Sequence, residues 1–283
     1  MIRNQATRDE VVGLCEAYGV SRSGYYGWRN RKPGKRQKAN QELAQRIREI
    51  HQAHRRIYGS PRITQALRAQ GTVCGENRVA RLMRQIGIRG VQKARFRPRT
   101  TESRHRLPIS PNRLPNLPSP RRLNAVWVSD ITYVPTREGW MYLAAFMDLK
   151  SRKIKGWSLK DHMKTQLVEE AFLQAVFRDP PGPGLIVHSD RGSQYASHRF
   201  RNLLDLHGAQ SSMSAQGYCY DNAAMESFWA TLKTELSVTQ PFSTKQEARL
   251  AIFEYIEVFY NRFRLHSSLG YCSPLDFEAQ CSA

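Results

Sequence analysis

The sequence changes character near Asn124, and that change limits the possible folds more than any other feature. Residues 1–122 carry 28 Lys and Arg against 7 Asp and Glu, whereas residues 123–283 carry 16 against 17. The net charge of +20 over 283 residues therefore belongs to the first part. Apolar spacing changes at the same place, from a helical repeat to runs of β-branched and aromatic residues. Two units with different tasks are expected. A basic block attracts a polyanion and releases its counterions on contact, so nucleic acid is the expected partner of the first.

Within the basic part, Val11, Leu14, Cys15 and Tyr18 recur at helical spacing and Gly19 stops them. Ser21 or Ser23 can cap a second short helix through Trp28, giving a helix-turn-helix pattern within residues 1–38. Residues 39–88 hold a second helical unit. Its helices are marked by Leu43, Ile47 and Ile50, by Ile63 and Leu67 after a Tyr58-Gly59-Ser60-Pro61 turn, and by Val79, Leu82, Met83 and Ile86. Arg78, Arg81 and Arg84 lie off that last stripe, where a helix entering a major groove needs cations. A plain three-helix bundle with a solvated arginine face gives the same pattern. Residues 89–122 hold six of the fourteen prolines and ten Lys and Arg, and read as an extended basic linker. Arg95, Arg97 and Arg99 are its candidate DNA contacts.

Several function classes are excluded. The longest apolar run, Trp140–Met147, is eight residues, against roughly 20 for a spanning helix. No apolar leader opens the sequence, so a cytoplasmic, nucleoid-associated location is expected. The five cysteines lack a Cys-x-x-Cys pair, and His51, His54 and Cys74 lack zinc-site spacing.

From 123 to 283 the pattern predicts an α/β unit with a mixed sheet. Strands are expected at 126–134, 140–149, 153–159, 185–188 and 209–214, and helices at 165–178 and 197–207. Two long helices, near 222–238 and 244–262, are expected to close the chain. Three acids stand out. Asp130 interrupts an apolar strand, Asp190 ends a short one, and Glu226 sits near a helix start. Such positions are costly for a charge unless it is paired or binds a metal. Carboxylates suit hard cations such as Mg²⁺ (or Mn²⁺), and two ions about 4 Å apart serve phosphoryl transfer. On the helix of Glu226, Met225, Trp229, Leu232 and Leu236 form an apolar stripe, while Asn222, Glu226 and Lys233 fall on another face.

These blocks resemble a known family. Trp127-x-x-Asp130-Ile-Thr-Tyr133, His188-Ser-Asp190-Arg-Gly192-Ser-Gln194-Tyr195 and Asp221-Asn222-x-x-x-Glu226 resemble the catalytic core of the retroviral-integrase superfamily, including the 35 residues between Asp190 and Glu226. The Tyr260–Pro274 block, Tyr58-Gly59-x-x-Arg62-Ile63 and Val20–Trp28 resemble the OrfB product of the IS-three insertion-sequence family. The resemblance spans about residues 10–280 and implies an RNase H-like core preceded by small all-α helix-turn-helix modules. It implies Asp130, Asp190 and Glu226 as catalytic residues holding two metal ions, with Asp130 bridging. It implies Lys233 at the transposon end, and Gln194, Tyr195 and Asn222 framing the site. The implied activity is metal-dependent 3′-end cleavage and strand transfer on double-stranded transposon ends and target DNA, by a homo-oligomer. No heptad run precedes residue 8, so an OrfA partner or fusion is expected. A nuclease that cuts without joining, or a silent DNA-binding regulator, are the competing expectations.

Overall fold

The structure is a computed structural model describing residues 8–32, 34–91, 107–115, 120–215, 222–236 and 240–282. Five helices come first: α1 (Arg8–Ala17), α2 (Arg22–Arg29), α3 (Lys35–Ala53), α4 (Ser60–Ala69) and α5 (Glu76–Gln85). Gly19 turns between α1 and α2 at φ 61°, and Ser21 caps α2 by accepting from the Gly24 amide at 3.1 Å. Helices α3, α4 and α5 bury the expected stripes: Leu43, Ile47 and Ile50; Ile63 and Leu67; Val79, Leu82 and Met83.

The second part is built on β1 (Val126–Thr136), β2 (Gly139–Asp148), β3 (Ile154–Lys160), β4 (Ile186–Ser189) and β5 (Gln210–Met213). They form one sheet in the order β3-β2-β1-β4-β5. β1, β2 and β3 are antiparallel neighbours, while β4 and β5 run parallel to β1. This is the mixed, RNase H-like arrangement that the residue pattern and the resemblance imply. The β1–β2 turn closes on Gly139, whose φ of 110° suits only glycine. α6 (Thr165–Arg178) makes the crossover from β3 to β4. It lies directly on β3 at Gly156, where an added Cβ would sit 2.3 Å from the Ala171 carbonyl oxygen. α7 (Ser193–Ala196) and α8 (His198–Leu206) precede β5.

Strand alternation sends side chains to two cores. Trp127, Ala144 and Phe146 pack with α6 and α8 on one face. Val126, Val128, Val134, Leu143 and Ala145 face the other way, toward α9 (Ala223–Glu235) and α10 (Lys245–Phe253). That second cluster continues without a break into α3–α5. Tyr58 is fully buried in the joint. Its hydroxyl accepts from the Leu265 amide at 2.8 Å and donates to the Phe263 carbonyl at 3.2 Å.

One expectation needs correction. The two expected helices are present, α9 to Glu235 and α10 continuing as a π-helical stretch, Glu254–Tyr260, but they do not close the chain. A further helix, α11 (Pro274–Ser282), follows. Glu278 on α11 bonds Ser151, Lys153 and Lys155 at 2.8, 2.6 and 2.7 Å, contacts no local pattern can show. Residues 107–115 of the basic linker form neither helix nor strand, and the Arg113 amide donates to Ser212 Oγ on β5 at 3.0 Å. Among the described residues, no helix is long and apolar enough to cross a membrane.

Candidate active site

The parallel register pairs Val128 with His188, so two residues further on Asp130 comes level with Asp190. Alternation puts Asp130 on the face of Val128 and Val134, the one that α9 covers. Its Oδ1 accepts from the Ile131 amide at 2.8 Å, and its Oδ2 from the Trp229 indole at 3.0 Å. Burial and, next, the charge of Asp190 push the Asp130 carboxyl up to about 7; Glu226 adds to the rise, and the two hydrogen bonds oppose it. Asp190 is fixed by the Gly192 amide, which donates to Oδ1 at 2.9 Å. A Cβ on Gly192 would lie 3.0 Å from that oxygen, so a side chain there would press on the Asp190 carboxylate. Glu226 lies exposed in the first turn of α9, three residues before Trp229.

The surrounding groups are held from both sides of the sheet. The Tyr195 hydroxyl and Ser129 Oγ lie 2.8 Å apart; burial, then Asp130 and Asp190, drive that phenol well above its usual range. Asn222, buried at the start of α9, donates to the Ser129 carbonyl at 3.2 Å, and its Oδ1 has no hydrogen-bond partner. Gln194 donates to the Met163 carbonyl at 2.9 Å, which holds the loop after Asp190. Lys233 lies half-buried two turns beyond Glu226; burial lowers its pKa and the Asp130 charge opposes the fall.

The residue pattern assigned Trp229 only to a packing stripe, yet its indole holds Asp130. The available signal was chemical: a buried indole N–H nearly always finds an acceptor. His188 was also missed. It is fully buried between Ser212 and Ser214 of the β5 region, at 2.9 and 3.1 Å, and fixes the strand end that carries Asp190.

Among the described residues, no three His, Cys, Asp or Glu side chains close around one point as a metal cage. Mg²⁺ does not need one. It keeps waters and is usually held by one or two carboxylates with substrate phosphates. The donors here are hard carboxylate oxygens, and the strain on ionised Asp130 is what a divalent cation would relieve. The residues present fit such an ion.

The expected DNA contacts divide. Arg78 is turned inward, its guanidinium on Asn40 Oδ1 at 2.7 and 3.0 Å, so it braces α5 against α3. Arg81 and Arg84 are exposed. Arg95, Arg97 and Arg99 lie outside the described residues. His51 and His54 bond the carbonyls of Arg89 and Ile50, as structural histidines do.

The chain is similar in sequence to known proteins. Integrase core domain families match residues 120–219 and 207–274, and an HTH-like domain family matches 38–96. A 31 kDa protein of insertion element IS600 from Shigella sonnei is 43% identical over 264 residues, covering 93% of this chain and 97% of that one. The transposase of element IS904 from Lactococcus lactis is 43% identical over 88% of this chain and 98% of its own. Transposase InsF of IS3A from Escherichia coli is 38% identical over 95% and 93%. Among solved structures, the HTLV-2 integrase catalytic core in complex with magnesium covers 54% of this chain and 95% of that one, at 16% identity and a TM-score of 0.42. Near-full-length identity of this order, with an HTH-like unit ahead of an integrase core, places the chain in the IS3 family of insertion-element transposases.

Proposed function

We propose that the chain catalyses metal-dependent cleavage at the 3′ ends of its insertion element and joins those ends to target DNA. The observation that carries this reading is the meeting of Asp130, within β1, and Asp190, just past the end of β4, on the side of the sheet where α9 carries Glu226. In a chain of net charge +20, these two carboxylates lie close enough that the charge of Asp190 raises the Asp130 carboxyl. Asp130, Asp190 and Glu226 would hold the Mg²⁺ (or Mn²⁺) ions, which would supply charge stabilisation at the scissile phosphate and an activated attacking oxygen. In cleavage, water forms a new P–O bond as the ester bond to the 3′ oxygen breaks, leaving a 3′-OH. In joining, that 3′-OH forms a bond to a phosphorus of a second strand as the bond from that phosphorus to its own 3′ oxygen breaks, leaving a new 3′-OH on the second strand.

The protein's own groups orient these steps. Trp229 and the Ile131 amide fix Asp130, and the Gly192 amide fixes Asp190. Lys233 follows Glu226 on α9 and suits a phosphate of the transposon end. Arg81, Arg84 and the linker arginines 95, 97 and 99 serve duplex binding, with Arg78 acting through α5. Assembly on paired ends needs a homo-oligomer, and an OrfA partner or fusion supplies further end recognition.

The test uses labelled duplex ends with Mg²⁺, comparing wild type with Glu226→Gln. Metal-dependent 3′-OH release and joined products, lost in the variant while DNA binding persists, are expected. Cleavage without joining would assign a nuclease instead. Full activity in Glu226→Gln would remove Glu226 from the site, and no activity even with OrfA supplied would indicate a silent DNA-binding regulator.

A further inference from the structure

We propose that α2, with the facing parts of α3 and α5, forms a binding site for an unpaired DNA strand, with Trp28 as its stacking platform. The proposal rests on the reading of the chain as a DNA-processing enzyme and adds a second nucleic-acid site to it. α2 buries none of its residues, although it carries three aromatic rings. Tyr25 lies 5.3 Å from Tyr26 and 6.2 Å from Trp28 between ring centroids. Trp28 is 56% exposed. The three rings form a contiguous aromatic cluster on an exposed helix, a feature that can mark a recognition site.

The rings of Tyr25 and Trp28 line a recess of about 1030 Å³. Arg29, Lys32 and Arg36 share its walls, with Gln37 and Gln85 among the polar groups. None of the lining side chains is acidic. Arg36 also borders a second recess of about 800 Å³, shared with Lys35, Arg81 and Arg84. The two recesses share Arg36 and together line a basic track whose aromatic residues all lie in the first.

A duplex hides its base faces in the stack, so a ring recessed between cations would have nothing to stack on. An unpaired strand exposes base faces and phosphates together, which is the combination this track complements. The glutamine amides can donate to and accept from exposed base edges. An acidic peptide would match the cations and leave the rings without a partner.

The test measures anisotropy of a labelled oligothymidylate and of a duplex of equal length, using the full chain without divalent metal. Trp28→Ala is expected to weaken oligothymidylate binding by roughly tenfold and to leave duplex binding unchanged. Trp28→Phe should recover most of the loss, and Arg36→Gln should weaken the single strand with a shallower salt dependence. Equal loss on both DNA forms, no loss on the single strand, no recovery with phenylalanine, or displacement by polyglutamate as readily as by oligothymidylate would overturn the proposal. Because binding is read without metal, failure of wild type to cut duplex ends counts against the proposed activity alone.

Discussion

The indole of Trp229 donates to Asp130 across 3.0 Å, joining the middle of α9 to the central strand. Glu226 sits three residues earlier on the same helix, so one contact sets the distance between two of the three acids. The bond also favours ionised Asp130, against the burial and the Asp190 charge that disfavour it. A helix that looked anchored by apolar packing alone is therefore also anchored at the acid it serves.

Replacing that indole should separate packing from chemistry. Trp229→Phe keeps an aromatic ring in the core but leaves Asp130 Oδ2 without its donor. The expected outcome is a loss of stability of about 1.5–3 kcal/mol, typical of a hydrogen bond to a charged group. Metal affinity should fall about 10- to 100-fold, as for partners that orient metal ligands. Urea unfolding and Mg²⁺ titration of cleavage check the two effects.

Two groups give opposed pH dependences. Native Asp130 holds a proton up to about 7, whereas the unfolded chain releases it near 3.8. The native state thus binds more protons between those values, and the Asp130 contribution to metal-free stability falls as pH rises through that window. His266 acts the other way. Burial, then the charges of Arg264, Arg62 and Arg152, lower its pKa to about 2, so it stays neutral in the native state. Its contribution is present above pH 6.5 and is lost as pH falls below it. Melting temperature against pH, with chelator and with Mg²⁺, reads both; Mg²⁺ and Asp130→Asn should each remove the fall on the neutral side.

The end of α9 carries a second ionic anchor. Arg264 forks onto Glu235, Nη2 to Oε1 at 2.7 Å and Nε to Oε2 at 2.8 Å, and both side chains are 5% exposed. Tyr255 donates to the same carboxylate at 2.8 Å. Arg264→Ala strands a buried charge and should cost about 3–5 kcal/mol. Glu235→Gln retains hydrogen-bonding atoms and should cost less. Denaturant midpoints of the two variants, compared at one pH, decide this.

Tyr58 joins the helical part to the C-terminal block through both sides of its hydroxyl. Arg62 supports it by donating to the Leu265 carbonyl at 3.0 Å. Tyr58→Phe should cost about 1–3 kcal/mol by leaving the Leu265 amide unmet. Protease should then cut near residue 90 sooner than in wild type, while the catalytic part stays intact.

Much of this architecture was legible locally. The charge partition, the stripes of α3 to α5, the strand runs and the crossover helix are patterns within 20 residues of chain, and the structure reproduces them. The acids show where such reading stops. Asp148 and Asp190 both lie at strand ends. Asp148 is satisfied by the amides of Asn124, Lys150 and Ser151 at 2.7, 3.0 and 2.7 Å, a structural arrangement. Asp190 lies beside Asp130, 60 residues away in sequence. Resemblance separated these two acids where periodicity alone could not.

The sequence by itself determined most of the helices and strands, α11 excepted, and where the positive charge collects, because these depend on near neighbours. Only the tertiary structure decided that Trp229 holds Asp130, that Arg78 braces α3, and that Glu278 brings α11 onto the sheet. Whether a buried charge is compensated depends on atoms within a few ångströms, and the fold supplies those atoms from distant parts of the chain.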